Sequence, residues 1–109
     1  MTIEEIIKLK NIRRYYSLEQ LGINDYAFPK ESAIEIINFL KDEFHPIFGG
    51  DVFKLDGDNI SFAYAFWSCE PEEDESPNKY LNRSYEAAIK YIQERNEDKN
   101  FIFSITFKK

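Results

Sequence analysis

The residues able to do chemistry are few and scattered. His45 is the only histidine and Cys69 the only cysteine. A metal site of the usual nitrogen–sulfur kind needs several such ligands, and a lone imidazole beside Pro46 supplies one. At the end of a helical stretch, His45 is expected to contact the last carbonyls instead. A nucleophilic cysteine needs a base or a positive field to form its thiolate. Cys69 has Glu70 and Glu72 as neighbours, which disfavour the thiolate, so a structural cysteine is expected. A single cysteine forms no internal disulfide, in agreement with a reducing compartment.

Other patterns fall short of sites for definite reasons. Asp56-Gly57-Asp58-Asn59 lacks the bidentate Glu and the twelve-residue spacing of a calcium loop, and reads as a turn. Gly49-Gly50-Asp51 is followed by a strand and by no Gly-Lys-Ser/Thr, so it is no phosphate loop. Asp51, Glu70 and Glu72 have the chemistry of general acids or bases, but nothing places two of them about a pocket. No catalytic residue, metal or cofactor is therefore expected.

Charge is the strongest signal. The net charge is −6, and Glu70, Glu72, Glu73, Asp74 and Glu75 supply −5 of it in one loop without Lys or Arg. Nucleic acid backbones favour clustered positive charge, and Arg13-Arg14-Tyr15-Tyr16 is too small a basic group to reverse this. No nucleic acid partner is expected. The loop follows an aromatic strand ending at Trp67, which favours a recognition role over a merely solvated charge run.

The elements that position these residues can be read from periodicity. Residues 47–69 hold two aromatic-rich runs around Asp56-Gly57-Asp58-Asn59, a β-hairpin pattern in which Asp-Gly tolerates positive φ. Phe62, Tyr64 and Phe66 alternate with Ser61, Ala63 and Ala65, giving one face of large residues. Gly49-Gly50 allows a sharp bend or a close approach of backbone.

Around the hairpin, Thr2-Ile3-Glu4-Glu5 is a capping box opening a helix over 3–10. Ser17-Leu18-Glu19-Gln20 repeats that logic for one turn closed by Gly22, and an extended segment runs from Ile23 to Phe28. Ala33, Ile36, Ile37, Leu40 and Phe44 make one helical face after Pro29. Ser76-Pro77 starts a third helix, with Leu81, Tyr85, Ala88, Ile89 and Ile92 as its stripe, ending near Arg95-Asn96. Phe101 to Phe107 alternates as a final strand.

A chain of 109 residues with 43% hydrophobic residues fits one domain over 1–109. The expectation is an α+β fold with an antiparallel sheet of three to four strands and helices on one face. Ile37, Leu40, Leu81, Ala88, Ile92, Phe103 and Ile105 are the expected core. The N-terminus has no basic flank or apolar signal core, and no apolar run approaches the ~20 residues that span a bilayer. A cytoplasmic protein without a membrane partner is expected; its oligomeric state is not fixed by any pattern in the chain.

In this order and spacing, the segments resemble the immunity protein 40 family of bacterial toxin–immunity systems. The residues that carry the resemblance begin with Ser17-Leu18, Leu21-Gly22-Ile23 and an amphipathic helix. Gly49-Gly50-Asp51-Val52-Phe53 and Trp67-Ser68-Cys69-Glu70 follow, then Ser76-Pro77, a helix and a terminal strand. Family members often carry Tyr-Asp-Asn before the Trp, where this chain has Tyr64-Ala65-Phe66, so no role of that Asn carries over. The resemblance implies a small cytoplasmic protein that neutralises a cognate protein toxin by binding it, and it brings no catalytic residues.

The expected binding surface comprises Tyr64, Trp67, Glu70, Glu72, Glu73, Asp74 and Glu75, with the charges on a solvated loop and the rings supplying contact area. A ligand-binding or adaptor domain using the aromatic sheet face is the alternative, and a small carboxylate-dependent enzyme a more distant one.

Overall fold

In the computed structural model, which describes residues 1–109, the capping box of Thr2 forms as written. Thr2 Oγ1 accepts from the Glu5 amide at 3.1 Å, and Glu5 Oε1 accepts from the Thr2 amide at 2.9 Å. Helix α1 then spans Ile3–Leu9, α2 spans Lys30–Asp42 and α3 spans Pro77–Glu94. Ser76 caps α3 by accepting from the Lys79 amide, with Pro77 at the first helical position.

The strands are β1 Tyr16–Ser17, β2 Tyr26–Pro29, β3 Ile47–Asp56, β4 Asn59–Ser68, β5 Phe101–Phe103 and β6 Thr106–Phe107. All pair antiparallel in one sheet of order β1-β2-β5-β3-β4, with β6 continuing beside β3. The sheet therefore has six strands rather than the three to four expected. Two-residue strands show no alternation, and β2 lies within what reads as an extended connection. The C-terminal run is split because Ser104 anchors to Asp51, accepting from its amide at 3.1 Å and donating to its carbonyl at 3.0 Å. Beyond that anchor the chain pairs again at Gly49 and Ile47.

One face of the sheet carries the main core. Ile36, Ile37 and Leu40 of α2 and Ala88 and Ile92 of α3 pack there with Val52, Phe103 and Ile105, joined by Ile6 of α1. Leu81 is buried as well. The opposite face holds a smaller cluster of Leu18, Ala27, Phe53, Ile60 and Ile102. It is covered by the chain from β1 through a 3₁₀ turn at Glu19–Leu21, which Gly22 ends at φ 74°. Ser17 is a strand residue whose hydroxyl accepts from the Glu19 amide. Gln20 does not close a capping box; its side chain crosses to the hairpin, donating to the Asp58 carbonyl and accepting from the Ile60 amide.

Candidate functional site

The hairpin forms where expected, with Asp56 paired to Asn59 and Gly57 at φ 61° in the two-residue turn. Pairing is regular except at Val52/Phe53, where partners shift from Ala65 to Phe62. Ala63 and Tyr64 thus form a bulge, and Tyr64 takes a left-handed φ of 56°.

Gly49 and Gly50 serve close approach. Gly49, at φ 152°, lies against the Trp67 backbone, and a Cβ on Gly50 would overlap both the Trp67 ring and the Ser104 carbonyl. Trp67 is only 7% exposed. Its indole stacks on Tyr91 of α3 at 5.1 Å between centroids, and its Nε1 is buried without an acceptor, so stacking and shape hold the ring. This corrects the expectation that Trp67 offers contact area to a partner. The residue is on the helix-covered face, opposite Phe66.

The other rings of β4 face outward. Phe62 is 46% exposed, Tyr64 92% and Phe66 67%. Phe62 lies 5.7 Å from the buried Phe53 ring and 6.0 Å from Tyr64. The expected alternation is present, but its large-residue face points away from the helices, beyond the cover supplied by Leu18 and Gln20. Sequence alternation marks a strand with two unlike faces; it does not say which face another element will cover.

The acidic loop is less free than its charge suggests. Glu70, Glu72, Glu73 and Asp74 are exposed, whereas the Glu75 side chain is only 2% exposed. Arg83, one turn and a half into α3, grips it through Nε–Oε2 at 2.7 Å and Nη2–Oε1 at 2.8 Å. The same guanidinium donates to the Glu70 carbonyl at 2.6 Å and to Cys69 Sγ at 3.2 Å, and lies 3.6 Å from Glu72 Oε1. Glu75 Oε1 also accepts from the Glu72 amide at 3.0 Å. The Arg83 hydrogen bonds, then that amide, pull the Glu75 carboxyl down to about 2. Beneath the loop, Tyr80 donates its hydroxyl to the Cys69 carbonyl at 2.5 Å. The expected solvated loop is thus a pinned one. Arg83 escapes sequence reading because its partner is eight residues away, across a helix N-terminus.

Cys69 is buried, and burial pushes its thiol up, with Glu75 and Glu72 adding to this and Arg83 opposing it. His45 does not cap α2 with its ring: its backbone amide donates to the Leu40 carbonyl, while Nδ1–H donates to the Lys108 carbonyl at 2.8 Å. His45 and Cys69 are each committed to local contacts, and no three His, Cys, Asp or Glu side chains converge as a metal cluster needs. No helix is long and apolar enough to cross a membrane.

Fold and surface together define a small α+β protein bearing a pinned acidic loop beside an exposed aromatic strip. Residues 17–107 match the family model for immunity protein 40, and the chain belongs to that family of immunity proteins from toxin–immunity systems. No curated protein and no solved structure matches the chain.

Proposed function

We propose that this protein neutralises its cognate toxin by stoichiometric binding, presenting the acidic loop and the aromatic strip beside it to a basic surface of the toxin. Glu70, Glu72, Glu73 and Asp74 supply the charge, Tyr64 supplies exposed contact area, and Glu75 holds the loop in shape. Trp67 acts from the core, by fixing the strand that carries Tyr64.

The observation behind this reading is the Arg83 clasp. A charge run that only keeps a protein solvated needs no fixed shape, whereas preorganised groups bind without losing freedom at the moment of association. Charge at an interface chiefly gives a fast and selective encounter, and aromatic residues are the common anchors. Non-enzymatic action is the reading the surface favours, acting in the cytoplasm where such a toxin would be met.

Co-expression with a candidate toxin domain, sought among the genes that neighbour this one, tests it. Rescue of growth together with co-purification of a one-to-one complex is expected. Rescue without any complex, at concentrations where both proteins are folded, would point to an enzymatic or indirect route instead.

A further inference from the structure

Asp51 and Phe66 are direct cross-strand partners on the face of the sheet turned away from the helices. Phe66 is two-thirds exposed. The backbone of Asp51 is fixed at both ends by Ser104, yet its exposed carboxylate has no hydrogen-bond or ion-pair partner within the chain. Antiparallel partners lie about 4.5–5.5 Å apart at Cβ. A free carboxylate therefore stands at the side of a free ring, and both are held by a sheet.

On its β4 side this pair is flanked by one sign of charge. From Leu55 to Asn78 the chain contains no Lys or Arg, with Asp56 and Asp58 at one end of β4 and the acidic loop at the other. Arg83, the cation that folds back on the loop, is spent on Glu75. Asp25 lies close enough for the Asp51 charge to reinforce the upward push that burial gives its carboxyl, with Lys109 opposing. An apolar partner alone would meet this acidic border badly. A second copy of the chain would bring the same negative border against itself.

We propose that the outer face of β4 is an arginine-recognising surface, with a guanidinium of the basic partner stacking on Phe66 while pairing with Asp51. Arginine fits better than lysine here. Its planar guanidinium stacks on aromatic faces, is weakly hydrated, and matches a carboxylate with two parallel donors, while an ammonium is a compact, strongly hydrated point charge. The inference rests on the toxin-binding reading and adds Asp51, Phe62 and Phe66 to the surface, together with the type of side chain they select.

The test is a titration of the isotope-labelled protein with a hexa-arginine peptide and, separately, a hexa-lysine peptide, followed by amide shifts. The arginine peptide is expected to shift Asp51 and residues 62–66 and to bind about two- to fivefold tighter than the lysine peptide. Asp51→Asn and Phe66→Ala are each expected to erase that preference, with the rest of the spectrum unchanged as evidence of folding. Replacing Glu72, Glu73 and Asp74 by Gln or Asn should weaken both peptides alike and leave the preference intact. Equal binding of the two peptides, or shifts confined to residues 70–75, would overturn the inference. Shifts of 62–66 on concentrating the protein alone, with a matching rise in mass by sedimentation, would also overturn it, by assigning the face to a second copy. Failure of the toxin to co-purify, with the peptide preference present, would defeat the toxin reading and leave the arginine surface standing.

Discussion

Arg83 and Glu75 face each other through two hydrogen bonds of 2.7 and 2.8 Å, from Nε to Oε2 and from Nη2 to Oε1, and this pair joins the acidic loop to α3. The guanidinium is about one-third exposed, so bulk water screens it on one side, while the carboxylate is enclosed. The pair is thus a local fastening: it orders residues 69–75 rather than carrying the fold.

The fastening has a pH signature. Glu75 titrates near 2 in the folded protein against an ordinary value of 4.5. A carboxyl with a depressed folded value contributes stability in full above its unfolded value and loses it as the pH falls through the folded one. The stability difference between wild type and Glu75→Gln should therefore be level above about pH 5 and fade between about 4.5 and 2. Denaturant unfolding at a series of pH values measures it. A difference independent of pH would show that the ionised carboxylate is not what holds the loop.

Leu40 tests the main core. It is fully buried among Ile36, Ile37 and the sheet, and Leu40→Ala leaves a cavity that costs about 2–5 kcal/mol. The denaturant midpoint should fall accordingly with the slope unchanged. A midpoint that stays put would mean that α2 does not pack as described.

Gly50 tests the seat of Trp67. A methyl group there would meet the indole ring and the Ser104 carbonyl together, and the carbonyl belongs to the chain that anchors β5 to β3. Overpacking of this kind costs about 1–3 kcal/mol. Gly50→Ala should lower the unfolding midpoint and shift the Trp67 emission, the only tryptophan signal in the chain. Wild-type emission and stability would show that the ring is free to move aside.

These cases also show what the sequence made legible. The helices were readable because caps and stripes are local: Thr2 with Glu5, Ser76 with Pro77, and Ile36, Ile37 and Leu40 on one face. The five expected core residues on helices are buried for that reason, and Phe103 and Ile105 are buried through the alternation of the C-terminal run. Phe44, expected on the same face as Leu40, lies past the end of α2 at φ 60° and is exposed. The hairpin was readable from its turn. The small strands β1 and β6 were not, since two residues have no period and their pairing depends on distant partners. The candidate site was legible in its charge and hidden in its geometry. The sequence shows five acidic residues together, but not that Arg83 returns to claim one of them. Trp67 reads as a surface anchor by residue type, and only the glycines facing it across the hairpin show that it turns inward.

The last prediction separates the two kinds of acidic residue. Glu72, Glu73 and Asp74 are exposed, whereas Glu75 is enclosed and paired, so neutralising all four would confuse steering with unfolding of the loop. The triple change Glu72→Gln, Glu73→Gln and Asp74→Asn leaves the Arg83–Glu75 grip in place, and stability should move by less than about 0.5 kcal/mol, as for surface substitutions away from such features. Rim charges act mainly on encounter, so the triple variant should associate with the toxin more slowly, by about tenfold at low salt. Screening should remove the gap: the Debye length falls from about 30 Å at 0.01 M to about 8 Å at 0.15 M. Arg83→Met should behave differently, because it leaves the exposed charges and loosens the loop. Its dissociation should quicken at both salts while the salt dependence of association persists. Stopped-flow association and dissociation of wild type and both variants at two ionic strengths measure all of this. Identical association rates for wild type and the triple variant at low salt would reduce the loop to a solvated face, whatever Arg83 does to hold it.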